Sequence, residues 1–293
     1  MTSDTKLALE NALYVVATPI GNLGDITLRA IEILKSASVI AAEDTRVTRV
    51  LLNQFGIKTR VIAVHEHNER NAAIGLVNLL QQGDSVALVT DAGTPAVSDP
   101  GAVVVNAVRL AGFTVIPIPG PSAVIAALSA SGEGEHGFTF AGFLPSGASD
   151  RKRALESWKP CTHALVFYET PHRIVEMIAA MQEVFGDERE IILAREITKK
   201  FENIHRVKLG DAAAWLAADA NNIRGEFVVI VANASIGAPL EGKTAEDQEL
   251  ERTLAILLEE LPLKQAVAMA VKITGEKKNK VYDLALALKV AAK

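Results

Sequence analysis

The stretch Val86–Gly101, VALVTDAGTPAVSDPG, constrains this chain more than any other. It opens inside a six-residue run, Ser85–Thr90 (SVALVT), apolar enough for a strand buried on both faces of a parallel sheet. It then breaks into Asp91, Gly93, Pro95, Asp99, Pro100 and Gly101, the residues that punctuate loops. The following run, AVVVNAVRLAG, reads as a helix stopped by Gly112. Strand, glycine-rich loop and helix in succession form the unit whose loops, in open α/β sheets, lie where ligands bind.

The same alternation fills the first half of the chain. Strands are expected at Leu13–Thr18, Ser38–Glu43, Arg60–Val64, Ser85–Thr90 and around Thr114, with helices between them and an alanine-rich helix ending at Ala130. Thr27 is placed to cap the helix LRAIEILKSA, and EDTRVTR is read as a loop leading to a helical VLLNQF. Five strands alternating with helices imply a parallel sheet covered on both faces. SGEGEHG (Ser131–Gly137) reads as a linker. Beyond it, FTFAGFL, HALVFYE, EIILARE, ENIHRVKLG and EFVVIVAN read as strands. Helices are expected at Arg151–Trp158, Pro171–Val184 and Asp211–Ala218, so the second sheet is expected to be mixed. After ASIGAPLEGKTAED come three further helices. The expected fold is α/β, with domains at 12–130 (parallel sheet) and 137–234 (mixed sheet), and a small basic helical domain at 247–293.

Composition narrows the functional classes. With 49% hydrophobic and 22% charged residues the chain is globular rather than disordered, and no run approaches the length of a membrane span. The opening MTSDTKLALEN mixes charges into its only apolar patch, unlike a signal peptide. The single cysteine, Cys161, precludes an internal disulfide framework and suits a reducing compartment, so a cytoplasmic location is expected. Net charge is −5, but unevenly spread. From Pro262 onward seven lysines face two carboxylates, a net +5, which leaves −10 on the preceding 261 residues. A basic tail on an acidic body fits either an anionic partner or a solvated helix face.

Five loops each follow a strand directly: TPIGNLGD, EDTR, HEHNE, TDAGTP and PGPS. In a parallel sheet all five lie on one edge, where backbone N–H groups and carboxylates can meet a polar ligand. No G-x-G-x-x-G follows the first strand and no G-x-x-x-x-G-K-[ST] occurs, which argues against dinucleotide and P-loop sites. HEHNE lacks a third metal ligand at a recognisable spacing, so no metal is expected; no G-x-S-x-G elbow is present. An organic cofactor on the loop edge, closed over by the second domain, is the remaining expectation.

Eight motifs then carry a family resemblance: LYVVATPIGNLGDIT, AAEDTR, HEHNE, LVTDAGTPAVSDPG, PIPGPSA, GFLP, FYETPHRI and AREITK, in this order. Together they resemble the tetrapyrrole-methylase-like group of S-adenosylmethionine-dependent methyltransferases, in particular its branch acting on small-subunit ribosomal RNA. The tail LPLKQAVAMAVKITGEKKNKVYDLAL is similar to that branch's small helical C-terminal domain. The resemblance implies transfer of a methyl group from S-adenosylmethionine to the 2′-hydroxyl of a cytidine in the decoding region of 16S rRNA. It also implies a homodimer, with the cofactor held between the two α/β domains. Carried over by position, the cofactor contacts fall at Pro19, Asp91, Gly93, Thr94, Ser122, Ala123, Phe167, Tyr168, Ala194 and Glu226.

A 2′-hydroxyl is a weak nucleophile, and Asp44, Glu169 and Glu196 are the candidate bases; sequence does not choose among them. Arg46, Arg173 and Arg195 lie beside them in sequence and are candidates to hold RNA phosphates, together with Lys277, Lys278 and Lys280 of the tail. Only 5% of residues are aromatic, so basic residues are expected to supply most of the attraction for RNA in the small ribosomal subunit. A tetrapyrrole C-methyltransferase and a non-catalytic ribosome-assembly factor on the same fold are the alternatives.

Overall fold

The computed structural model describes residues 8–65, 67–135, 137–233 and 245–291. Glu66 of HEHNE, His136 of the glycine-rich linker and residues 234–244 of the later break lie outside the described residues. The chain divides into two compact units at Ala232/Asn233.

The larger unit holds two sheets. The first is built from β1 (Ala12–Val16), α1 (Leu28–Ser36), β2 (Val39–Ala42), α2 (Thr45–Gln54), β3 (Arg60–Ala63), α3 (Glu69–Gln81), β4 (Val86–Val89), α4 (Ala102–Leu110) and β5 (Thr114–Ile118). Its strands are all parallel, in the order β3-β2-β4-β1-β5. β2 and β4 are buried at every position, as their unbroken apolar runs require of strands covered on both faces. Side chains from α1 and α2 share one core with the sheet, and those from α3 and α4 share the other. The chain leaves β1 toward β2 and leaves β4 toward β5, in opposite directions along the sheet. Right-handed crossovers therefore place the helices after these adjacent strands on opposite faces, leaving a crevice at their carboxyl ends.

The helix α5 (Ala123–Ser131) leads into the second sheet. That sheet comprises β6 (Phe138–Phe143), α6 (Ala148–Trp158), β7 (Ala164–Glu169), α7 (Ile174–Phe185), β8 (Glu190–Arg195), β9 (Asn203–Lys208), α8 (Leu209–Ala218) and β10 (Phe227–Val231). The order is β6-β7-β10-β8-β9, with β6 parallel to β7, β10 antiparallel to β7 and β8, and β9 antiparallel to β8. The parallel sheet and the mixed sheet expected from sequence are both present. α6, α7 and α8 cover one face; Val124, Ala127 and Leu128 of α5 cover the other. α7 is the main wedge, burying Ile174, Met177, Ile178, Met181 and Val184, each such burial contributing about 1.5–3 kcal/mol. In the smaller unit, α9 (Ala245–Glu260), α10 (Leu263–Thr274) and α11 (Lys278–Ala291) share a core of Leu250, Leu254, Val267, Ala270, Val281 and Ala285.

Some boundaries differ from expectation for local reasons. EDTR is not a loop followed by a later helix. Asp44 accepts a hydrogen bond from the Arg46 N–H (2.8 Å) and caps α2, so the helix starts at Thr45. ENIHRVKLG ends as a strand at Lys208, because Leu209 already opens α8. α7 starts at Ile174 rather than Pro171: residues 170–173 form a turn in which the Arg173 and Ile174 N–H groups both donate to the Thr170 carbonyl.

β6 carries a bulge. Phe140 pairs with Val166, but Gly142 then pairs with Phe167 and Phe143 with Tyr168, so one extra residue is accommodated in β6. Gly142 has φ +68°, and a Cβ there would stand 3.2 Å from the Ser98 Oγ of the β4–α4 loop. Gly142→Ala is therefore expected to destabilise the fold by on the order of 1–3 kcal/mol, read as a lower denaturant midpoint at unchanged slope.

Candidate active site

The crevice after β1 and β4 is tied shut at the backbone. Thr18 donates its N–H to the Gly93 carbonyl (2.9 Å), and Gly93 returns the bond to the Thr18 carbonyl (3.0 Å). The buried Thr18 hydroxyl adds a bond to the Thr90 carbonyl (3.1 Å). At the far end of the loop, Glu69 Oε1 accepts from the N–H groups of Gly101 (2.8 Å) and Val103 (3.0 Å), capping α4 from the first residue of α3. HEHNE thus acts as a brace: Asn68 Oδ1 accepts from the His65 N–H (2.9 Å), and its amide donates to the Ala63 carbonyl (3.2 Å). Among the described residues no group of three or more His, Cys, Asp or Glu side chains is placed to hold a metal. Between its anchors the loop carries Ala96 and Ser98 at φ +68° and +63°, left-handed conformations that cost non-glycine residues energy and cluster at functional sites.

A cavity of about 220 Å³ lies between these loops and the strand ends of the second sheet. One wall is Ile20, Ala92–Thr94, Val97–Asp99, Ser122 and Ala123; the other is Phe143, Tyr168–Thr170, Ala194, Glu196, Ile197, Lys199 and Glu226–Val228. Of the residues singled out from sequence, Gly93, Thr94, Ser122, Ala123, Tyr168, Ala194, Glu226, Glu169 and Glu196 line it. Pro19, Asp91, Phe167, Asp44, Arg46, Arg173 and Arg195 do not. Phe167 illustrates the reason: strand alternation sends its wholly buried side chain into the α6–α8 core while Tyr168 faces the cavity. Ile20, Val97, Ser98, Asp99, Phe143 and Lys199 line the cavity without having been singled out. Asp99 stood in the opening motif and Phe143 in GFLP, and the register that brings them together is tertiary.

The carboxylates divide into two groups. Asp44 is gripped by the Arg46 guanidinium (Nη2–Oδ2 2.6 Å), which together with the Arg46 N–H holds its pKa down at about 2. Glu196 Oε1 accepts from Lys199 Nζ (2.7 Å) and the Glu226 N–H (3.0 Å), while Lys199 also reaches Glu226 Oε2 (2.8 Å). Burial raises the Glu196 pKa, but these bonds outweigh it and the net shift is downward. Glu169, 2% exposed, accepts from the Thr170 N–H through Oε1 (2.8 Å), and its buried Oε2, which has no hydrogen-bond partner, is ion-paired with Arg173 Nη2 at 3.5 Å. Arg173 spends the same Nη2 on the carbonyls of Leu144 (2.5 Å) and Pro145 (3.2 Å), and Arg195 Nη1 donates to the Arg224 carbonyl (3.3 Å).

Asp99 belongs to the second group. Among the described residues it has no ion-pair partner. Burial, then the charge of Glu43, push its pKa up to about 6, against a smaller lowering by the Thr90 hydroxyl. Asp91 is raised as well, by burial and then by Glu43 and Asp44, against the bond it accepts from the Asp44 N–H (3.0 Å). A desolvated acid without a counter-charge, beside a carboxylate oxygen that accepts no hydrogen bond and the apolar Ile20, Val97, Ile197 and Val228, suits a ligand that is cationic, rich in donors and partly apolar.

Two five-stranded sheets, the first doubly wound and the second mixed, with a ligand cleft at the first sheet's carboxyl edge, define a tetrapyrrole-methylase-type fold. A family model for tetrapyrrole (corrin/porphyrin) methylases matches residues 12–213, and one for an RsmI C-terminal HTH domain matches residues 244–289. Proteins named ribosomal RNA small subunit methyltransferase I from Pseudomonas aeruginosa (48% identity, 94% of this chain and 96% of the relative) and Escherichia coli O157:H7 (46%; 94% and 95%) are similar over nearly their whole length. Among solved structures, the methyltransferase CobJ (TM-score 0.58, 22% identity, 76% of this chain and 95% of that one) shares the fold. So does cobalt precorrin-4 methyltransferase (0.55, 16%, 76% and 95%). The chain belongs to the tetrapyrrole methylase family, in the group of the ribosomal RNA small subunit methyltransferase I relatives, and is a methyltransferase.

The Asp99 pKa, raised above the ordinary value of 3.8, gives a contribution to ligand-free stability that is fully present below about pH 4 and is lost as pH rises through about 6. Asp99→Asn is expected to flatten this dependence and to stabilise the ligand-free protein at pH 7.5 by about 1 kcal/mol, measured by denaturant titration at pH 4.5, 6 and 7.5.

Proposed function

We propose that this protein transfers the methyl group of S-adenosylmethionine to the 2′-hydroxyl of a cytidine in the decoding region of 16S rRNA, as a homodimer in the cytoplasm. The observation that carries it is the similarity to the named relatives, 46–48% over 94% of the chain, which spans both the cleft and the helical unit. No helix among the described residues is long and apolar enough to cross a membrane. We also divide the chain functionally into domains at 12–130, 137–234 and 247–293.

The cleft fits the cofactor. Asp99 offers a negative charge to a ligand carrying a sulfonium and an ammonium group, and the apolar walls suit an adenine ring. When bound, S-adenosylmethionine supplies an activated methyl group on an excellent leaving group, so alignment and proton removal are the protein's task. Of the three candidate bases, Glu169 lines the cavity with an Oε2 that accepts no hydrogen bond and is held only by the Arg173 ion pair (3.5 Å), Glu196 is committed to Lys199, and Asp44 lies outside the lining. Glu169 therefore accepts the hydroxyl proton as the oxygen–carbon bond forms, and Arg173 steadies the carboxylate. Arg46, exposed at the start of α2, and Lys277, Lys278 and Lys280 are the RNA-facing cations. The three lysines are exposed at the N-terminal end of α11, where the helix dipole disfavours positive charge; Lys280 is ion-paired there with Glu276 (2.8 Å), and a bound phosphate supplies further counter-charge.

The test is incubation with labelled S-adenosylmethionine and either 30S subunits or a tetrapyrrole precursor, followed by mapping of the labelled atom. Label on a ribose 2′-oxygen of 16S rRNA is expected; label on tetrapyrrole carbon overturns the proposal. Glu169→Gln should lower kcat about 10²- to 10⁴-fold at saturating cofactor, while Glu196→Gln acts mainly on stability. By calorimetry, cofactor affinity should fall about tenfold or more between pH 7.5 and pH 5 as Asp99 protonates, and Asp99→Asn should be weak at both. Changing Lys277, Lys278 and Lys280 together to Gln should reduce the salt slope of 30S binding by about 2–3.

A further inference from the structure

The structure points to Phe143 as the platform on which the base of the acceptor nucleotide stacks at the mouth of the cavity. In an unbroken strand, residues 140 and 143 would face opposite sides of the sheet. The bulge before Gly142 shifts the phase by one, so Phe140, opposite Val166, and Phe143, opposite Tyr168, come to the same face. Their rings flank Tyr168: Phe140 meets it edge-on at 4.9 Å between centroids, and Phe143 is tilted at 59° with 5.6 Å between centroids. Phe140 and Tyr168 are packed against the core formed with α5. Phe143 lines the cavity, yet half of its surface (50%) faces solvent.

A large aromatic ring backed by a fixed tyrosine and left half open is preorganised for another flat ring. The bulge is also fixed from outside, since Gly142 abuts Ser98 in the same loop that carries Asp99. The platform is thereby keyed to the wall that faces the cofactor, which sets the reach from a stacked base to its own ribose. Stacking tolerates any base, so the platform supplies position and affinity, and discrimination of cytidine is left to polar groups.

This platform presupposes the RNA methylation proposed above, and the experiment separates the two. Initial rates are measured with 30S subunits from cells lacking this methyltransferase, for the wild type, Phe143→Ala, Phe143→Leu and Phe143→Trp, with cofactor affinity measured separately by calorimetry. Phe143→Ala is expected to raise KM for 30S about ten- to a hundredfold, with a smaller fall in kcat at saturating 30S as the acceptor ribose loses its registry, and with cofactor affinity within about twofold of wild type. Phe143→Trp should restore KM and Phe143→Leu should not, although Leu preserves apolar bulk. An unchanged KM in Phe143→Ala, or rescue by Leu equal to that by Trp, overturns the platform while leaving the methylation intact. A loss confined to cofactor affinity assigns the ring to the adenine and also overturns it. If wild-type protein leaves 16S rRNA unlabelled, both fail together. Thermal melts of each variant identify misfolding, and Phe143→Trp, which keeps an aromatic ring at this half-exposed position, still reads the platform if the alanine variant does not fold.

Discussion

The reciprocal hydrogen bonds between Thr18 and Gly93 are the constraint on which the site depends. They join the loops after β1 and β4 at the point where the two connections diverge to opposite faces of the sheet. Without that tie, nothing in the strand pairing would fix the separation of the loops beyond Val16 and Val89. The other anchor is the Glu69 carboxylate on the start of α4. The strained residues Ala96 and Ser98 lie between the two fixed points. A left-handed non-glycine residue relaxes unless its surroundings over-determine it, so the anchors are what keep Asp99 turned toward the cavity.

The electrostatics of the cleft follow from where counter-charges were and were not provided. Glu196 and Glu226 share Lys199, Glu169 has Arg173, and Asp44 has Arg46. Glu43, Asp91 and Asp99 have no such ion pair among the described residues; burial first, and the charges of neighbouring carboxylates second, raise the pKa values of Asp91 and Asp99. Surface ion pairs contribute little to stability, whereas a desolvated acid left unpaired is a standing cost. Among the carboxylates that line the cavity, that cost falls on Asp99, while Glu169, Glu196 and Glu226 are paired. Such an arrangement favours a cation over a neutral analogue without adding a contact, since binding restores the ionised form to its ordinary range.

Much of this was legible in the sequence because it depends on short-range rules. Unbroken apolar runs announced the buried parallel strands, and punctuation by Gly, Pro and Asp placed the ligand loops. What escaped depends on how distant segments meet. That Asp44 is a helix cap needed the bond to the Arg46 N–H, and a loop reading of EDTR left it free as a base. Phe167 and Tyr168 are adjacent and similar in chemistry, and only the pairing register shows which one faces the cavity. Arg173 and Arg195 look like phosphate ligands in a list of charges, yet the fold directs both at backbone carbonyls.

The two sheets contribute unequally because they are built differently. A parallel sheet brings every strand-to-helix loop to one edge, so it can surround a small polar ligand with backbone groups and carboxylates. The mixed sheet, with β10 running against its neighbours, brings strand starts and strand ends to that edge and offers fewer loops there. Its contribution comes through side chains chosen by alternation, such as Tyr168, Ala194 and Val228, and through the bulge that reverses alternation once. A wall made largely of backbone geometry tolerates side-chain variation, whereas a wall made of alternating side chains is retuned by single substitutions. The second sheet is therefore the wall through which single substitutions most readily reshape the cavity, and the bulge in β6, which brings the half-exposed Phe143 to the lining, is where its alternation is reset.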